Sequence, residues 1–99
     1  MGEFETLVLL AILRLDDEAY GMAVRREIEK RTGREISYGA VYTALDRLER
    51  KGYVSYTLGE SLPERGGRAR KYFRVEPAGR EALRDSRRAL EVMWKGVAP

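Results

Sequence analysis

The residues best able to do chemistry in this sequence are cationic, and they are bunched. ERGGRARKYFR, Glu64 to Arg74, sets Arg65, Arg68, Arg70, Lys71 and Arg74 against Glu64 alone. Like charges this close repel one another unless something anionic sits among them. Gly66 and Gly67 give a tight, unobstructed turn, and Tyr72, Phe73 and Val75 have the composition of a strand that packs on a core. A solvated hairpin is one reading. The other is a loop aimed at a polyanion, with Arg68, Arg70 and Lys71 suited to phosphates or a narrow minor groove, where potential rather than base identity is read.

A second group lies upstream, in SYGAVYTALDRLERKG. Val41, Ala44, Leu45 and Leu48 recur at helical spacing and form a buried stripe. Ser37, Tyr38, Gly39, Tyr42, Thr43, Arg47 and Arg50 lie on or near the opposite side. Gly39 and Ala40 let that end of a helix approach another surface closely. Free N–H groups and the helix dipole there favour phosphate, Tyr and Thr hydroxyls bind phosphate oxygens, and Arg47 can reach a base edge. Singly, each residue has an ordinary account: Tyr42 as packing, Asp46 with Arg50 as an i,i+4 pair. Together they point to double-stranded DNA.

Other chemistry is poorly supplied. The 99 residues contain no cysteine and no histidine, which removes thiol chemistry, the usual neutral-pH base and the commonest metal ligand. No enzyme, metal site or cofactor is expected. The apolar run Leu7 to Leu15 is too short to span a bilayer and is broken by Arg14. A signal peptide would open with positive charge, whereas Glu3 and Glu5 open this chain. The expectation is a cytoplasmic protein with no membrane partner.

The elements that must position these groups follow from periodicity. Glu3 to Leu15 is a helix with Phe4, Leu7, Val8, Ala11, Ile12 and Leu15 on one stripe. Leu9, Leu10 and Leu13 fall outside it, so the helix is apolar nearly all round. A central core helix and a helix shared with a second subunit both fit; the shared helix is the favoured reading. Asp16-Asp17-Glu18 offers caps for a second helix, Gly21 to about Arg31, with Gly33 as its stop. Ser37 caps the third, about 38–51, which ends at Gly52. The period then changes to two, giving a hairpin with strands from Tyr53 and from Lys71 to Val75 around a loop from Gly59 to Arg70. Pro77 opens a last helix to about Lys95, where Leu83, Ser86, Leu90, Met93 and Val97 recur at four-three spacing beside Trp94. The fold class is mainly α with a small β-hairpin (α+β): a winged helix-turn-helix over 1–76, with the wing at about 53–75, and a dimerisation helix over 77–99 in the same compact unit. The dimer face is Leu9, Leu10 and Leu13 with Leu83, Leu90, Met93 and Trp94.

These segments resemble the PadR family of winged helix-turn-helix transcription regulators, over roughly Leu7 to Leu90. Ser37, Gly39, Tyr42 and Leu45 match its recognition-helix pattern; Ala40 and Val41 replace the usual Thr and Leu. Gly67, Arg68, Arg70, Lys71 and Tyr72 match its wing, with Ala69 for proline. Tyr20-Gly21 matches its Tyr-Gly, and Glu76-Pro77-Ala78-Gly79 lacks the family's capping Thr. The likeness is to the shorter branch with a single C-terminal helix. It implies a homodimeric regulator, usually a repressor, that clasps an operator with an inverted repeat. Some relatives hold flat aromatic or drug-like molecules between subunits, a role for which Trp94 is the candidate, although a lone Trp in a seam is commonly packing. The rival reading is a winged helix that binds protein instead of DNA, and such a module has no need of clustered wing arginines.

Overall fold

The computed structural model describes residues 1–61 and 69–99. Four helices, α1 (Glu3–Leu15), α2 (Gly21–Thr32), α3 (Tyr38–Arg50) and α4 (Pro77–Trp94), enclose a core closed by a two-stranded antiparallel hairpin, β1 (Val54–Ser61) and β2 (Ala69–Val75). This is the mainly α winged-helix arrangement that the sequence periods imply.

Local chemistry sets most element ends. The Ser37 Oγ accepts from the Ala40 N–H at 3.1 Å and starts α3. Gly33 ends α2 at φ 72°, a left-handed conformation that glycine adopts without strain, and its N–H reaches the Glu29 carbonyl. Between them, the Ile36 N–H donates to the Glu29 carboxylate at 2.9 Å, fixing the turn that joins α2 to α3.

The acidic triplet behaves differently from expectation. Asp16–Glu18 forms a 3-10 turn, and α2 begins after Tyr20 with no side-chain cap. The link between them is tertiary: the Phe73 N–H donates to the Ala19 carbonyl at 2.8 Å, so Ala19 runs beside β2 between the acids and α2. The strands are also longer than the sequence suggests, with β1 reaching Ser61 and β2 beginning at Ala69. Helix α4 stops at Trp94, so Val97, read as part of its seam, lies beyond the helix.

Helix α1 is the hub, in contact with α2, α3, α4 and β2. Its buried arc is therefore wider than one stripe, and Leu9 is 0% exposed in the chain's own core. The assignment of Leu9 to a subunit face is corrected by that burial. Its neighbour Leu10 remains 43% exposed. Helix α4 docks on the hairpin through Gly79, where a Cβ would come closer to the Tyr53 carbonyl than any real Cβ contact. The Tyr53 carbonyl itself accepts from the Glu76 N–H at 2.8 Å.

Candidate nucleic-acid interface

Burial of Val41, Ala44, Leu45 and Leu48 turns the other side of α3 outward, leaving Gly39, Ala40, Tyr42, Thr43, Asp46, Arg47 and Arg50 exposed. A Cβ at Gly39 would meet nothing within 4 Å, so this end is free for close approach. Arg50 is held by Asp46 at 2.8 Å. Arg47 makes no ion pair among the described residues and borders a groove with Thr43, Ala40 and the start of α1. Ser37 keeps its position at the tip of α3, where its Oγ is engaged as the cap acceptor while its hydroxyl hydrogen can still donate.

The start of α1 is tied to both ends of the third helix. Glu3 pairs with Arg34 in the turn before α3, and Glu5 pairs with Lys51 at its end, each at 2.9 Å. The hydrogen bond from Arg34, reinforced by its charge, holds the Glu3 carboxyl below its usual range. Nothing local in the sequence marks Arg34 or Lys51 for these roles, since their partners are 31 and 46 residues away.

Tyr38 and Tyr42 point toward α2 rather than straight outward. Their rings meet edge-on at 4.5 Å, and the Tyr38 hydroxyl donates to that of Tyr42 at 2.7 Å. Both lie against Gly21, where a Cβ would stand 3.4 Å from the Tyr42 Cζ. Burial, and then the bond to Tyr42, push the Tyr38 hydroxyl up to about 12, opposed by the charge of Arg70.

Among the described residues, the wing cations Arg70 and Lys71 do not share a face. Successive strand residues face opposite sides: Arg70 stacks on the Tyr20 ring at 3.9 Å, whereas Lys71 lies over Tyr56 at 4.2 Å. The close-set group read from the sequence is therefore split across β2. Arg68 lies outside the described residues.

The apolar residues assigned to a subunit face gather elsewhere. Leu10, Leu13, Leu83, Leu90 and Trp94 line a groove of about 590 Å³ between α1 and α4, flanked by Arg80, Arg84 and Arg87. Met93, also assigned to that face, is not among the residues lining the groove and is 75% exposed.

The sequence matches the Transcriptional regulator PadR-like family over residues 9–85. This chain belongs to the PadR-like family. It is 39% identical over 100 residues to Transcriptional regulator Rv3488 of Mycobacterium tuberculosis (strain ATCC 25618 / H37Rv), covering 98% of this chain and 89% of that protein. Among solved structures, a transcriptional regulator from Clostridium thermocellum, Cth-833, superposes with a TM-score of 0.77 at 26% identity, over 92% of this chain and 85% of the other. A PadR family regulator from Eggerthella lenta DSM 2243 gives a TM-score of 0.71 at 29% identity, over 95% of this chain and 81% of the other. As a PadR-like protein the chain is a DNA-binding transcriptional regulator, from a family of regulators rather than enzymes. No helix among the described residues is long and apolar enough to cross a membrane.

Proposed function

We propose that this PadR-like regulator is a cytoplasmic, homodimeric repressor that lays α3 in the major groove of an operator with an inverted repeat. The wing then lies on the backbone or in the minor groove. The observation that carries this reading is the outward side of α3, where Thr43 and Arg47 stand exposed beside the small residues Gly39 and Ala40. Residues 1–76 do the DNA work. Residues 77–99 join the subunits through the α1–α4 groove, with Leu10, Leu13, Leu83, Leu90, Met93 and Trp94 covered by a second copy. A small aromatic effector binding at that seam would stack on Trp94, 53% exposed at the groove's edge.

The test is selection of DNA fragments by the purified protein, followed by binding of variants to the selected duplex and to random DNA. Two half-sites about one helical turn apart, or a multiple, are expected because the site must share the protein's two-fold symmetry. Arg47→Ala costs about 1–3 kcal/mol on the selected duplex and less on random DNA. Arg70→Ala weakens both alike and lowers the salt slope by roughly one unit for each phosphate it no longer neutralises. Fragments without a repeat, together with variants that bind like the parent, would favour a winged helix that recognises protein.

A further inference from the structure

Arg70 and Tyr20 are separated by most of the DNA-binding region in sequence, yet they are stacked in space. The Arg70 guanidinium carbon lies 3.9 Å from the centre of the Tyr20 ring. Tyr72, two residues on and on the same strand face, meets that ring edge-on at 5.8 Å, and its hydroxyl accepts from the Arg70 Nη1 at 3.5 Å. Across the hairpin, Gly59 makes room for Tyr72: a Cβ there would stand 2.5 Å from the Tyr72 Cε2. Tyr20 immediately precedes Gly21, the residue on which the Tyr42 and Tyr38 rings of α3 rest. A continuous run of touching residues thus leads from the wing through Tyr20 to the third helix. A guanidinium held over a ring face loses little further freedom when it meets a phosphate, and its remaining N–H groups stay available to donate.

We propose that Tyr20 is a positioning residue for DNA binding: its ring holds the Arg70 guanidinium, and with it the wing, at a set distance from α3. The proposal rests on the DNA-binding reading above and adds a residue that touches no base. A cation on a ring face is worth enough to change a binding constant roughly 2- to 30-fold, and the effect runs wholly through Arg70.

The experiment is a double-mutant cycle read by fluorescence anisotropy across a salt series, on the selected duplex and on a random-sequence duplex. Tyr20→Phe keeps the ring face and binds like the parent. Tyr20→Leu keeps bulk but not the face, and loses affinity roughly 2- to 30-fold, as Arg70→Ala does. The double variant loses no more than the worse single one. Additive losses would overturn the proposal, as would full affinity in Tyr20→Leu beside a loss in Arg70→Ala. If Arg70→Ala itself keeps the parent's affinity and salt slope, the DNA role of the wing fails first, and that pattern is distinct from the other two. Thermal unfolding checks that each variant is folded. Tyr20→Met, which keeps bulk but has no ring face, supplies the same answer if Tyr20→Leu does not fold: weakened binding that does not add to the Arg70→Ala loss supports the proposal, and parental binding overturns it.

Discussion

Leu9 and Leu10 are adjacent leucines of one helix, and the structure gives them opposite duties. Leu9 is fully enclosed in the core, among the largest side chains so buried, while Leu10 is 43% exposed at the α1–α4 groove. Leu9→Ala removes three carbons whose transfer from water is worth about 2.4 kcal/mol at ~0.8 per methylene. The hub position of α1, with packed elements around it, limits collapse into the space left behind, and the cavity raises the cost to about 3–4 kcal/mol. A domain of this size holds roughly 5–15 kcal/mol in total, so the variant folds but its melting temperature falls by more than about 10 °C. Leu10→Ala costs the isolated chain less than about 1 kcal/mol and instead weakens association of subunits. The assay is urea unfolding followed by far-UV circular dichroism, paired with light scattering under native conditions. Leu9→Ala shifts the unfolding midpoint at every protein concentration and leaves the folded protein's oligomeric state unchanged. Leu10→Ala weakens association in light scattering and moves the midpoint only through that linkage, by an amount that depends on protein concentration. A Leu9→Ala midpoint within about 1 kcal/mol of the parent, at unchanged m-value, would refute the placement of Leu9 in the core.

Leu90→Glu puts a charge on the exposed side of α4, and under the homodimer proposed above light scattering should return a folded species near 11.3 kDa, with loss of binding to the selected duplex. Gly79→Ala drives a methyl into the Tyr53 carbonyl, a backbone atom that cannot swing aside, and costs about 1–3 kcal/mol or more in chemical unfolding. Tyr38 carries a hydroxyl raised to about 12 in the folded chain against an ordinary value of 10.0, so the unfolded state loses that proton first. Its contribution is intact below pH 10 and fades as pH rises toward about 12; stability falls across that window, and Tyr38→Phe should flatten the fall in pH-dependent melting curves. Glu76→Thr supplies a side-chain acceptor at the start of α4, where Glu76 makes no cap bond, and should raise stability by about 0.5–1 kcal/mol.

Much of this molecule is determined by short-range rules that a sequence displays directly. Ser37 caps α3 because its oxygen needs to reach only three residues ahead, and Gly33 ends α2 because few residues besides glycine take the left-handed conformation without strain. The stripe of Val41, Ala44, Leu45 and Leu48 names its own buried side, since polar residues fill the rest of the helix. Order of elements, helix bounds and the outward side of α3 all follow from such local patterns. Where a pattern has no contrast, only the assembled fold decides. Helix α1 is apolar nearly all round, so nothing in its residue types separates Leu9 from Leu10; the packing of four other elements about it does. The acids at 16–18 are sound caps by composition, yet they form a 3-10 turn of their own, Tyr20 takes the position before α2, and Ala19 between them is bonded to Phe73 of β2. Arg70 and Lys71 read as one charge cluster along the chain. The pleat of β2 sends them to opposite faces, and the ring that receives Arg70 belongs to Tyr20, a residue distant in sequence that only the packing of β2 on the segment before α2 brings within 3.9 Å.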